Sequence, residues 1–111
     1  MIFIVVKFKT TPEYTERFLD LVGPFTLATR AEEGNLWFEW SRSVEDPGEI
    51  VLVEAFRDGA AEAHVTSEHF AAGLEAMRPA LAETPRIVSR QVDGEGWERM
   101  GELRIDDQPS A

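Results

Sequence analysis

Two histidines and one carboxylate stand out for the chemistry they could do near neutral pH. His64 and His69 are the chain's only histidines, and both lie in the stretch from Glu49 to Phe70, which also carries Glu54 inside an otherwise apolar run. Histidine is the side chain whose ordinary pKa lies nearest neutrality, so general-base chemistry would begin here. An imidazole within hydrogen-bond reach can take a proton from a phenolic hydroxyl, and a nearby carboxylate can orient the ring. Glu54, on an apolar strand face, must be paired, exposed at the strand end or protonated. Plainer roles stand beside these. Glu54 could simply pair with Arg42 or Arg57, His69 could bond a backbone or carboxylate group at a helix start, and His64 could face solvent from an alanine-rich helix.

Metal ligation asks more of the sequence. A separation of five residues turns about 140° around an unbroken helix, so His64 and His69 do not share a face as a four-residue spacing would allow. A break at Ser67 could bring them together, with Glu54 joining them, but no spacing encodes that geometry, and no metal is expected. The chain has no cysteine, which removes disulfides, thiolate nucleophiles and cysteine-based metal sites. It also lacks GxGxxG, the phosphate-binding GxxxxGK, a nucleophile elbow and a Ser-His-Asp arrangement. No cofactor is expected. Asn35, Trp37, Phe38, Trp40, Phe56 and Phe70 would supply flat apolar walls and one amide for a planar aromatic ligand. Aromatic residues at strand spacing serve equally well as core or interface.

The elements that must hold these residues follow from apolar periodicity. Ile2 to Lys9 is dense in Ile, Val and Phe, the composition of a buried strand. Thr10 or Thr11 could cap a following helix, in which Tyr14, Phe18, Val22 and Phe25 form one face and Gly23-Pro24 predicts a kink. Gly34 suits a left-handed helix terminus. Leu36 to Ser41 alternates, and Glu45-Asp46-Pro47-Gly48 turns it into a hairpin with Ile50 to Phe56. Asp58 could cap a helix through His64 that falters at Thr66-Ser67, and Ser67 could cap its continuation through Phe70, Leu74, Met77 and Leu81. Arg86 to Val92 reads as a fourth strand.

Strand, helix, strand, strand, helix, strand predicts a four-stranded antiparallel sheet with both helices on one face, the ferredoxin-like α+β split βαβ sandwich. Alternation should leave the other face polar in a monomer, but the first three strands are apolar on both sides. A homodimer covering that face is therefore expected. Residues 1–93 form the domain, and 94–111 an acidic extension whose Trp97, Met100, Leu103 and Ile105 would make an extended segment against a partner, with the last residues frayed.

A chain of 111 residues bounds this to one domain with a modest core. The net charge of -10, from 11 basic and 21 acidic residues, argues against nucleic acid and against an anionic membrane surface as partners. It fits a small hydrophobic or aromatic ligand better than a polyanion. No run approaches the roughly 18 apolar residues of a spanning helix, and no signal sequence is evident, so a soluble cytoplasmic protein is expected.

Three stretches together, Glu33-Gly34-Asn35-Leu36-Trp37-Phe38, Ile50 to Phe56 and Ala61 to Phe70 with its His-x4-His-Phe, resemble the antibiotic biosynthesis monooxygenase domain family, and most closely its quinol monooxygenase branch. The resemblance runs from Met1 to about Val92. It implies a dimeric α+β barrel built from ferredoxin-like protomers, with a ligand cavity between sheet and helices. It also implies dioxygen-dependent oxidation of quinols or hydroxyaromatic compounds without flavin, haem or metal, since an electron-rich phenolate can itself pass an electron to oxygen. In those terms His64 or His69 would be the base, Glu54 its orienting or proton-accepting partner, and Asn35 a contact to a substrate oxygen. Trp37, Phe38, Phe56 and Phe70 would shape the pocket. The haem-degrading branch is a poor match, because its first-strand asparagine and later helical histidine are both missing here. A non-catalytic binding dimer and an oxygen-independent isomerase or cyclase would use the same residues.

Overall fold

In the computed structural model, which describes residues 1–106, the four stretches read as strands are four strands. They are β1 (Ile2–Lys9), β2 (Asn35–Arg42), β3 (Glu49–Phe56) and β4 (Arg86–Gln91). Two short helices, α1 (Phe18–Leu21) and α2 (Gly23–Arg30), separate β1 from β2, and α3 (Ala61–Val65) and α4 (Glu68–Met77) separate β3 from β4. Every pairing is antiparallel, in the spatial order β2-β3-β1-β4. This is the ferredoxin-like arrangement that the element order predicts.

The expected dimeric barrel is corrected. The sheet is open: β2 and β4 are its edges and do not pair with each other. The geometric reason is that closure into a barrel demands more strands and a sheared register, around eight for a side-chain-filled interior. A single four-stranded sheet twists without closing.

Alternation along each strand decides what faces the helices. Val6 and Phe8 of β1, Phe38 of β2, and Ile50 and Leu52 of β3 meet Phe18, Phe25 and Met77 from the helices, and Val22 between α1 and α2, in one buried core. Aromatic rings dominate it: Phe8, Phe18 and Trp40 lie 5.4 to 5.8 Å apart, and Trp40 Nε1 donates to Thr26 Oγ1 at 2.8 Å. The opposite face carries Phe3 and Val5, Trp37, and Val51 and Val53, in registers Phe3↔Ala55, Trp37↔Ala55 and Val5↔Val53.

Several local expectations need revision. Residues 12–17 form turns, and α1 is capped by neither threonine; Thr10 Oγ1 instead bonds Gly48 O and Thr15 Oγ1. Gly34 does not take a positive φ; its lack of a side chain matters because a Cβ there would stand 2.2 Å from Ala60 Cβ. Asp58 caps no helix, and accepts from Gln91 Nε2 and the amino terminus. Ser67 does cap α4, accepting from Phe70 N at 3.1 Å. From Asp93 to Asp106 the described residues are irregular apart from a 3-10 turn at Gly101–Leu103. Trp97 lies tilted against Trp37 on the outer sheet face, 5.1 Å between ring centroids. The fraying expected of the terminus falls, from residue 107 on, outside the described residues.

Candidate functional site

Two chain breaks and one strand build the site. The helix α2 ends at Arg30, and the turn that follows it presents Glu32 before β2 begins at Asn35. Across from it, α3 and α4 are separated at Thr66-Ser67, where Ser67 Oγ bonds His64 O and then caps α4. This break re-aims the helix, so His64 at the end of α3 and His69 in the first turn of α4 converge instead of diverging. Glu54, on the inner face of β3 beside Phe38, comes up from below.

The carboxylate of Glu32 is the centre of the cluster. Its Oε2 lies 2.8 Å from His64 Nδ1 and 2.5 Å from His69 Nε2. An ionised carboxylate only accepts, so both ring nitrogens donate to it, which leaves His64 Nε2 as an acceptor. That nitrogen faces Glu54 Oε1 at 3.9 Å, outside hydrogen-bond range. The result is a line of four titratable groups, Glu54, His64, Glu32 and His69, that runs from the core to the surface. The side chains of Glu54 and His64 are 8% and 5% exposed, whereas His69 reaches 28%.

Phenyl rings wall the inner end of this line. Around His64 lie Phe56 at 4.7 Å, Phe70 at 5.0 Å, Phe25 stacked at 5.8 Å and Phe38 at 6.2 Å between ring centroids. Gly73 of α4 makes room for Phe25, since a Cβ there would fall 2.7 Å from its ring. The low dielectric of this wall acts on Glu54. Burial, with the negative charge of Glu32 adding to it, raises its carboxyl to about 7. Neither Arg42 nor Arg57 relieves it: Arg42 bonds the carbonyls of Pro47 and Thr15, and Arg57 bonds Glu33 O and pairs with Glu95.

The residues singled out in the sequence therefore divide. His64, His69, Glu54, Phe38, Phe56 and Phe70 come together on the inner face. Trp37 projects to the other side of the sheet, against Phe3 and Trp97, and its Nε1 is buried with no partner among the described residues. Asn35 commits both amide hydrogens to backbone carbonyls, those of Trp37 and Ala55, across the irregular register at the start of β2. An open depression of about 290 Å³ lies along β2, lined by Arg30, Asn35, Leu36, Trp37, Phe38 and Glu39. It includes none of the four titratable groups. Glu32 is the residue that sequence reasoning passes over, because within Glu32-Glu33-Gly34 it looks like an ordinary solvated helix end.

No described helix is long and apolar enough to cross a membrane. The family model for antibiotic biosynthesis monooxygenase matches residues 1–76, which include every member of the cluster. Among solved structures, a Nitrosomonas europaea protein described as a candidate antibiotic biosynthesis monooxygenase is 25% identical, with a TM-score of 0.76 over 83% of this chain and 98% of that one. Rv0793 from Mycobacterium tuberculosis is 22% identical, with a TM-score of 0.75 over 86% and 98% of the two chains. A conserved protein from Methanosarcina mazei is also 22% identical, with a TM-score of 0.77 over 83% and 92%. The last two likenesses establish the fold. No curated protein matches the sequence.

Proposed function

This chain belongs to the antibiotic biosynthesis monooxygenase family, and on that basis we propose that it acts in the cytoplasm as a cofactor-independent monooxygenase, oxidising a quinol-like or hydroxyaromatic substrate with dioxygen. The observation that carries the proposal is the line from Glu54 through His64 and Glu32 to His69, with its buried end walled by phenyl rings. A phenol bound against those rings would give its proton to His64 Nε2, the ring nitrogen not held by Glu32. Glu32 then stabilises the imidazolium, and His69 passes charge toward solvent. The phenolate so formed is electron-rich enough to reduce dioxygen itself. The balance closes without another reductant: a quinol and one dioxygen give a hydroxyquinone and one water. Phe38, Phe56 and Phe70 would hold the ring, with Asn35 and Trp37 at the margin.

A second copy of the chain is the macromolecular partner in this reading. Support comes from the apolar outer face and from Trp97, Met100, Leu103 and Ile105, which are 63 to 70% exposed. The extension 94–111 would then meet that partner. A binding role without turnover has one observation in its favour, the depression along β2 that holds Asn35 and Trp37 but none of the four groups of the cluster.

The test is dioxygen uptake by metal-stripped protein with a panel of reduced quinols and polycyclic phenols. Uptake above the spontaneous rate, falling by roughly 100-fold or more in His64→Ala and substantially in His69→Ala, is expected for a general base and its relay. Saturable binding with no enhancement across the panel would overturn the oxidation and leave a binding or proton-transfer role.

A further inference from the structure

The cluster has a second chemical capacity that proton transfer does not use. Glu32 Oε2, His64 Nδ1 and His69 Nε2 come from three separate segments, yet all lie within 4.8 Å of one another. We infer that these three atoms form a binding site for one divalent transition cation of the zinc, cobalt or iron(II) class.

Four features of the geometry point this way. The donor set is two imidazole nitrogens and one carboxylate oxygen, which suits borderline cations and disfavours calcium and magnesium, whose sites are built of oxygen. The spacing is close to what ligation needs. Bonds of about 2.0–2.1 Å in a tetrahedron put ligand atoms roughly 3.3 Å apart, so to admit an ion the 2.8 and 2.5 Å contacts must open by a fraction of an ångström and the two imidazole nitrogens, within 4.8 Å of each other, must settle to the same spacing. His64 would bind through Nδ1, which fixes its proton on Nε2, and that nitrogen faces the Glu54 carboxyl at 3.9 Å. A ligating histidine whose other nitrogen is turned to a carboxylate is the usual outer support of such sites. Finally, the site has one closed and one open side. Phe56, Phe70 and Phe25 pack around His64, while His69 and Glu32 are 28% and 16% exposed, which provides an entry path and leaves coordination positions for water or a substrate oxygen.

This inference does not rest on the oxidation reading, because three ligands so placed hold a cation whatever reaction the cluster supports. The two roles exclude each other at the same atoms. With the ion held, His64 Nδ1 and His69 Nε2 give up their hydrogen bonds to Glu32, and the proton line is interrupted.

Cobalt(II) is the probe, because a nitrogen- and oxygen-ligated cobalt of low coordination number absorbs in the visible, whereas ions gathered by an acidic surface stay hexahydrated and nearly colourless. Titration of the full, metal-stripped chain should give one cobalt per chain with that absorption, displaced stoichiometrically by zinc. Glu32→Gln and His69→Gln, whose side chains are partly exposed and whose folding is checked by circular dichroism, should each weaken binding by about 100-fold or more. Loss of an outer partner alone typically costs 10 to 100-fold, which is the expectation for Glu54→Gln. Glu75→Gln removes an exposed charge paired with Arg78 and should change nothing. Absence of stoichiometric coloured binding, or binding that survives Glu32→Gln and His69→Gln, overturns the site. Oxygen uptake by the metal-stripped protein is read separately, so either conclusion can fail alone.

Discussion

The two faces of the sheet both carry aromatic rings and use them in opposite ways. On the inner face Phe25, Phe38, Phe56 and Phe70 close around His64, whose ring is hydrogen-bonded to Glu32. On the outer face Phe3, Trp37 and Trp97 form a row that ends in solvent, with Trp97 67% exposed. Rings that exclude water raise the cost of a charge and couple it to its partners; rings that remain wet add area but little electrostatics. Function should therefore be concentrated on the inner face, and perturbations there should be large and sensitive to pH. Changes on the outer face should be small.

The sharpest test of this contrast is the pH dependence of stability. Glu54 has its folded carboxyl raised to about 7 from an ordinary 4.5. Below about pH 4.5 it is protonated in both folded and unfolded chains and costs nothing. As pH rises, the unfolded chain ionises first, so the folded state loses stability progressively until the folded carboxyl also ionises near 7, and the loss is then constant. The full swing amounts to about 3 kcal/mol. Urea denaturation of metal-stripped protein at pH 5 and pH 8 should show wild type losing most of that amount relative to Glu54→Gln. Parallel curves for the two proteins would mean that the inner face is wet.

Next in size is the seam that brings the site's segments together. Gly34 precedes β2, two residues after Glu32, and passes Ala60 just before α3, so close that a Cβ at Gly34 would lie 2.2 Å from Ala60 Cβ. Neither atom is the end of a flexible chain, so Gly34→Ala must push the Glu32 turn away from α3. A loss of about 1–3 kcal/mol is expected, the usual cost of overpacking. Adding Ala60→Gly should recover most of it, less the small penalty of a new glycine. Thermal melts of the two single variants and the double variant check this. Cobalt affinity should follow the same order if the seam sets the Glu32 to His64 distance.

These two tests also mark where the sequence was readable. The strands were, because runs of Ile, Val and Phe bounded by Thr-Pro and Asp-Pro-Gly leave little other choice, and Ser67 was readable as a cap because it precedes a helical period. His64, His69 and Glu54 were singled out by chemical type, and the structure brings them together. What could not be read was the hub. Glu32 has no local signature, since an acidic pair at a helix end is ordinarily solvated, and its role arises from two remote breaks meeting. The five-residue spacing of the histidines misleads for the same reason: it applies to one helix, and Thr66-Ser67 makes two. Gly34 was credited with a backbone conformation, whereas its need is for space. The barrel was an inference about closure that no single strand pattern contains.

The smallest effect tests the outer face. Trp97 contacts Trp37 at 5.1 Å, but two thirds of its surface is already wet, so Trp97→Ala removes little buried area. The loss should stay under about 1 kcal/mol, the scale of an aromatic pair at the surface. It should leave the pH dependence of Glu54 and the cobalt absorption untouched, because Trp37 and Phe38 project to opposite faces. The indole emission should still change, since Trp37 loses the ring tilted against it and gains water. That separation is the informative outcome: a spectral change without a functional one shows that the sheet insulates its two faces. If Trp97→Ala instead weakens cobalt binding or oxygen uptake, the strand β2 transmits between faces, and the extension becomes part of the site's control.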